Sequence, residues 1–248
     1  MAGVQKNSKT IEGLYLQPMM SKKSFLAIIV AALIPLVSYF LLDYFSSDAV
    51  VMPRRYFFDT VQNITKYGKT TPDTVWHKVR DFTLTNQMGK QVSLSDLDGK
   101  IIVADFFFTS CPSICPALTR NMKRLQDAFN KTDTIVRFLS FSVDPARDSA
   151  ERLKKYADKY GINHDTWWLL TGDKDEIYDI AKKEFKANVA DTHIDTNFIH
   201  TEYFFILDKD RVVRGWYNGR DSIHLSKLAD DVVLLMLEKD KKKKRRFF

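Results

Sequence analysis

The chain has 248 residues and a formal net charge of +7, and six of those seven charges sit in one run, Lys241 to Arg246. Without that run the 38 Lys and Arg fall to 32 against 31 Asp and Glu, so the body is nearly neutral and presents no basic face for nucleic acid. Hydrophobic residues at 45% and aromatics at 13% exclude intrinsic disorder, and two cysteines, Cys111 and Cys115, exclude a disulfide-framed fold.

The first element in the chain is an uncharged stretch, Phe25 to Leu42, preceded by Lys22-Lys23. At about 1.5 Å per helical residue it just crosses a bilayer core, and Pro35 is tolerable in such a helix. It exceeds the roughly 7–15 residues of a signal-peptide core, and Ser47-Asp48-Ala49 is a weak cleavage site. A core helix would carry a polar stripe, which this segment lacks. The expectation is an uncleaved single-span anchor over 25–42. Lys6, Lys9, Lys22 and Lys23 precede it, while Arg54 and Arg55 follow among Asp43, Asp48 and Asp59. That bias places residues 1–24 in the cytoplasm and everything after Leu42 outside. The N-terminus has no Arg- and Ser-rich transit segment, which favours a bacterial inner membrane and a periplasmic domain.

Residues 43–75 show no sustained period and read as a linker. Residues 76–239 form one domain's length, and 240–248 are a basic tail. Within the domain, Asp81–Thr85 and Gln91–Leu94 alternate around Asn86–Gly89, a hairpin. Ile101 to Phe108 is apolar except for Asp105, the pattern of a central buried strand. Pro116 opens a helix reaching about Lys131, and Thr134–Val143 is the next strand. Asp148 with Glu151 three residues on suggests a capping box for a helix ending at Gly161. A short strand, Trp167–Leu170, precedes a helix over Asp173–Phe185. Tyr203–Leu207 and Val212–Tyr217 flank the turn Asp208–Arg211. Ser222–Lys239 closes the domain as an amphipathic helix with Leu225, Leu228, Val232, Leu235 and Met236 on its apolar side. This order, in an α/β chain, is the thioredoxin arrangement with an added N-terminal β-hairpin.

Cys111 and Cys115 lie where the buried strand gives way to the helix opened by Pro116. Sulfurs near a helix N-terminus favour the thiolate, a nucleophile and a soft-metal ligand. The spacing is Cys-x-x-x-Cys, so the redox tuning of a two-residue spacer does not carry over. A structural disulfide across so short a loop would stabilise little. Two sulfurs can instead hold one ion if a third ligand arrives from elsewhere. His77, His164, His193, His200 and His224 are the five candidates. His200 is singled out by its place just before the strand Tyr203–Leu207, which in a thioredoxin topology packs beside the helix that carries the cysteines. Two thiolates and one imidazole suit Cu(I) and accept Cu(II); zinc, the rival, prefers a fourth ligand. Phe106, Phe107 and Phe108 are simplest as core, at most two facing one side.

The segment Phe107 to Pro116 resembles the metal-binding loop of the Sco/SenC copper-binding proteins. Two further segments agree in order, Ser142 to Asp148 and His200 to Asp208. The resemblance covers about residues 80–238; it leaves out the linker and tail and matches Ala187–Ile199 poorly. It implies a thioredoxin-like domain that binds copper through Cys111, Cys115 and His200. The partner it implies is the copper-binding subunit of cytochrome c oxidase, with a copper donor protein or a thiol reductant upstream. Asp144 becomes a candidate for tuning the site, while Arg147 and Asp148 are more simply helix caps.

Two functions follow as expectations. The first is a membrane-anchored copper metallochaperone that delivers copper to the dinuclear copper centre of the oxidase. The second is an extracytoplasmic thiol-disulfide oxidoreductase in which Cys111 attacks and Cys115 resolves. The three-residue spacer counts against the second. So does the lack of a proline just before Tyr203, where thiol oxidoreductases of this fold carry one. A redox or copper sensor is not separable from the chaperone by sequence.

Overall fold

The structure is a computed structural model, and it describes residues 22–47, 51–66, 69–130, 134–187 and 202–238. The chain divides into two compact units, residues 1–51 and residues 52–248. The first contains helix α1, Lys22–Ser47, which is longer at both ends than the expected 25–42. Its backbone stays helical through Pro35, and Ser38 Oγ donates to the Pro35 carbonyl at 2.9 Å. The described side chains from Phe25 to Leu42 are exposed to solvent, among them Leu26, Ile34, Phe40 and Leu42. Counted over the described residues alone, no helix is long and apolar enough to cross a membrane. The full sequence of α1 is nonetheless uncharged from Phe25 to Leu42.

The second unit is built on a seven-stranded sheet. In chain order its strands are β3 (Thr83–Asn86), β4 (Gln91–Ser93), β5 (Ile101–Phe107), β6 (Val136–Ser142), β7 (Trp167–Thr171), β8 (Tyr203–Leu207) and β9 (Val213–Asn218). They lie in the order β4-β3-β7-β6-β5-β8-β9. β5, β6 and β7 run parallel; β3 and β8 join them antiparallel, each continuing into a hairpin. The helices are α2 (Cys115–Ala128), α3 (Ala150–Tyr160), α4 (Lys174–Asp179) and α5 (Ser222–Leu237). This is the expected thioredoxin-like architecture, with β3–β4 as the added hairpin at one edge.

Every residue of β5 is buried, which explains its unbroken apolar run. Ile102, Ala104 and Phe106 join one core with Leu139, Phe141, Phe185 and Phe205. Ile101, Val103 and Phe107 join the opposite core with Leu118 and Met122 of α2, Leu153 of α3 and Leu228 of α5. The three phenylalanines therefore divide as packing requires. Phe106 stacks on Phe141 with centroids 5.2 Å apart, whereas Phe107 lies on the cysteine side against Tyr156. Burying each such ring contributes on the order of 2–3 kcal/mol.

Two elements differ from the sequence expectation. The segment read as a linker contains an antiparallel ribbon, β1 (Phe58–Lys66) and β2 (Lys69–Trp76). Most of its described side chains face water on both sides, so no alternating pattern announces it. The helix expected over Asp173–Phe185 is α4 followed by a π-helical turn, Ile180–Glu184. Asp173 caps α4 by accepting from the Glu176 N–H at 2.9 Å.

The chain before β1 is fastened to the edge strand β9. The Tyr56 ring sits 4.6 Å from that of Trp216, and Phe57 stacks on the same indole. Arg214, 4% exposed, donates to the Pro53 carbonyl, to Asp208 at 2.9 Å and to Glu238 at 2.7 Å. Removing one partner of a buried ion pair strands the other charge, at a cost of about 3–5 kcal/mol. Arg214→Met is therefore expected to lower unfolding stability by about 3 kcal/mol, read by urea denaturation of the purified chain; an unchanged midpoint would contradict this role.

Candidate metal centre

β5 ends at Phe107, and the chain turns through Phe108–Ile114 into α2, whose first residue is Cys115 and second Pro116. Proline fits there because the first helical N–H groups have no partner within the helix. The Cys111 N–H donates to the Phe108 carbonyl at 3.3 Å, folding the loop back over the strand end. Both cysteines are free thiols, Cys111 7% exposed and Cys115 1%.

The two thiols are not equivalent. Burial pushes Cys111 up, but this is outweighed by the Cys115 N–H, the Cys115 thiol and the N–H and hydroxyl of Ser113. All of these favour the Cys111 thiolate and hold it below the ordinary thiol range; the Ser113 hydroxyl lies 3.7 Å from its sulfur. Cys115 is pushed well up by burial, against an opposing hydrogen bond from the Phe108 backbone; donating its proton to Cys111 and the negative charge of Cys111 and Asp105 push it further. Cys111 is thus the first thiolate and Cys115 its proton donor. A soft cation seated between the sulfurs would displace that proton, so metal capture releases it to solvent.

Asp105 lies under the loop on the same face of β5 as Phe107. It is 2% exposed, and burial raises its carboxyl to about 7 against a single opposing hydrogen bond from Ser140. Ser140 Oγ in turn accepts from the Trp167 indole N–H at 2.9 Å. In the sequence Asp105 is the one polar residue of an otherwise apolar strand.

The structure moves Asp148 out of its expected role. Helix α3 is capped by Ser149, whose hydroxyl accepts from the Arg152 N–H at 3.3 Å, and ends on left-handed Gly161 as expected. Asp148 is wholly buried and points back at the cysteine loop. Its carboxylate accepts from the Thr109 N–H at 3.0 Å, the Thr109 hydroxyl and the Ser142 hydroxyl at 2.6 Å. Arg152 Nε approaches the same carboxylate and donates to Thr109 Oγ1 at 2.8 Å. Asp144 receives Arg147 and Asp148 N–H groups on its backbone carbonyl, as a turn former should. Its Oδ2 is buried without a hydrogen bond, with Arg147 Nη1 3.4 Å away.

The histidines separate clearly. His77 binds Asp59 through Nδ1 at 2.8 Å, with Glu184 3.3 Å from Nε2, and so joins the β1–β2 ribbon to the π-helical turn. His164 bridges Gln87 and Asp158. His224 accepts from the Asn218 N–H at 3.1 Å. His193 and His200 lie outside the described residues. Among the described residues, no three His, Cys, Asp or Glu side chains form a group able to hold a metal ion.

A thioredoxin-like domain that carries a Cys-x-x-x-Cys loop on the helix after its central strand defines a class of thiol or soft-metal proteins. Within that class the sequence model of the SCO1/SenC family matches residues 70–236, and the chain belongs to this family. The SCO1 protein homolog of Bacillus subtilis is 39% identical over 166 residues, covering 66% of this chain and 86% of its own. Among solved structures, BsSco, a member of the Sco family of cytochrome c oxidase assembly proteins in which a disulfide switch is identified, is 38% identical. It covers 65% of this chain and 95% of its own with a TM-score of 0.56. Bradyrhizobium japonicum ScoI with copper bound is 26% identical, covers 63% and 98%, and has a TM-score of 0.51.

Two measurements check the electrostatics. Under limiting iodoacetamide at neutral pH, Cys111 is expected to be alkylated at least about tenfold faster than Cys115, followed by peptide mass spectrometry; equal rates would contradict the assignment. For Asp105 the folded carboxyl titrates near 7 and the unfolded one at the model value 3.8. The folded state therefore holds a proton that the unfolded chain has lost, and stability declines as pH rises from about 4 to about 7. Asp105→Asn is expected to flatten that decline and to gain on wild type by on the order of a few kcal/mol at pH 7.5. Parallel slopes in pH-dependent urea denaturation would rule this out.

Proposed function

We propose that this chain is a membrane-anchored copper-binding protein of cytochrome c oxidase assembly. In this reading it takes copper on Cys111, Cys115 and His200 and passes it to the dinuclear copper centre of the oxidase. The observation that carries the reading is the pair of sulfurs at one strand–helix junction, one favoured as thiolate and one held protonated beside it. Soft donors in so small a set suit Cu(I) and tolerate Cu(II). His200 would supply the third ligand from the chain just before β8, the strand adjacent to β5. The copper-bound relative from Bradyrhizobium and the oxidase-assembly relative BsSco support the cargo and its destination.

Three ligands leave copper under-coordinated, so a partner's thiol or imidazole can enter before the first set lets go. The 18 uncharged residues of α1 from Phe25 to Leu42 would cover about 27 Å, one bilayer core, with the domain on the periplasmic side of a bacterial inner membrane. The copper donor, or a reductant that keeps both thiols free, meets the domain there.

The unequal thiols also favour a second reading, a thiol-disulfide oxidoreductase that reduces the cysteines of a metal-acceptor protein. Cys111 would attack the target disulfide, one target sulfur leaving as a thiol. Cys115, losing its proton, would then displace the second target thiol and close Cys111–Cys115 as a disulfide. One titration separates the two. With the reduced full chain in detergent, anaerobic copper addition is expected to give one tightly held copper per chain, with affinity collapsing in Cys111→Ala, Cys115→Ala and His200→Ala. Unchanged affinity in His200→Ala together with turnover in a dithiol assay would give the site to the oxidoreductase.

A further inference from the structure

The family reading leaves Asp148 unexplained. Its apparent duty, capping α3, belongs to Ser149, yet its carboxylate sits wholly out of water. Withdrawing a carboxylate is costly unless its oxygens are satisfied, and here both are. One oxygen receives the Thr109 hydroxyl and faces Arg152; the other receives the Thr109 N–H and the Ser142 hydroxyl. Thr109 lies two residues after β5 and two before Cys111, and Ser142 is the last residue of the neighbouring strand β6. Arg152 closes the circuit from the first turn of α3 onto Thr109. Three segments therefore meet on one buried side chain at the root of the cysteine loop.

We propose that Asp148 is the positioning residue of the Cys111–Cys115 loop: by gripping Thr109 at both its backbone N–H and its hydroxyl, it sets where the chain leaves β5 and hence how the two sulfurs face each other. Cys115 is fixed independently by helix α2, where the Thr119 hydroxyl bonds its carbonyl at 2.9 Å and meets Tyr156 at 2.7 Å. Among the described residues, Cys111 makes its hydrogen bonds, to Phe108, Ser113 and Cys115, within the loop and its junction with α2. Its distance from Cys115 is thus governed at the Thr109 end, where Asp148 acts. The copper part of this inference rests on the function proposed above; the loop-geometry part does not.

The test compares full-length wild type with Asp148→Ala, Thr109→Val, the double variant, Ser142→Ala and Ile177→Ala. Ile177 is a buried residue of α4 in the core on the other side of the sheet from the cysteines, and its truncation controls for loss of stability alone. Three quantities are read below each variant's unfolding transition: the ratio of Cys111 to Cys115 alkylation rates without metal, copper affinity, and the thiolate-to-Cu(II) charge-transfer bands. Asp148→Ala and Thr109→Val are each expected to compress the alkylation ratio, weaken copper at least about tenfold and shift the bands. The double variant should be no worse than the weaker single one, because both remove the same link. Ile177→Ala should lower stability and leave all three readouts in place. An unchanged alkylation ratio in Asp148→Ala and Thr109→Val overturns the proposal, and so does an equal change in Ile177→Ala. If Asp148→Ala does not fold, Thr109→Val and Ser142→Ala decide by the same criteria. Failure of wild type to bind copper would sink the copper reading, while the alkylation ratio still decides the role of Asp148.

Discussion

The site depends on a carboxylate that has left water. Asp148 is enclosed where β5, β6 and α3 converge, and in a medium of low dielectric its charge holds every donor aimed at it more firmly than it would at the surface. Two of those donors belong to Thr109, and through Thr109 the ordered core reaches an otherwise short, exposed turn. The cysteines are placed from two sides. Helix geometry fixes Cys115, and the Asp148 link fixes the approach to Cys111. A surface loop without such a tether would sample many sulfur separations, and its metal affinity and redox behaviour would be averages over them.

The same burial makes the two sulfurs unlike. Cys111 collects hydrogen bonds from Cys115 and Ser113; Cys115 sits deeper, over the Asp105 carboxyl and against Phe107 and Leu118. One thiolate with a proton donor beside it is a competent nucleophile, and the pair becomes a competent chelate once a cation replaces the proton. Metal capture and thiol exchange therefore begin from one arrangement of atoms. What separates them is a third ligand, which the proposed function takes from His200, just before β8 in the sequence.

Much of the domain was legible in the sequence, because its elements bury one or both faces. β5 announced itself as an apolar run, α5 by Leu228, Val232 and Leu235 at helical spacing, and α3 by Gly161 at its end. The cysteine pair was legible because a strand, two sulfurs and a helix-opening proline follow each other within a dozen residues. The β1–β2 ribbon was not, since strands with both faces in water need not alternate. The π-helical turn at Ile180–Glu184 was equally hidden, for its apolar spacing resembles that of an α-helix. Asp148 was misread for a local reason. Asp148 and Ser149 are adjacent and either can cap a helix; only the fold shows that Thr109, 39 residues earlier, claims the first. Asp105 was visible as a polar residue in an apolar strand, but its meaning required seeing what lies over it.

X-ray absorption at the copper K-edge of the anaerobically loaded, reduced chain reports the atoms bound to the metal, and so decides whether both sulfurs hold it. Two sulfur scatterers near 2.3 Å are expected, by analogy with about 2.3 Å for metal–thiolate bonds, together with imidazole scattering that disappears in His200→Ala. A first shell of nitrogen and oxygen alone, or one sulfur in place of two, would contradict a site built from Cys111 and Cys115.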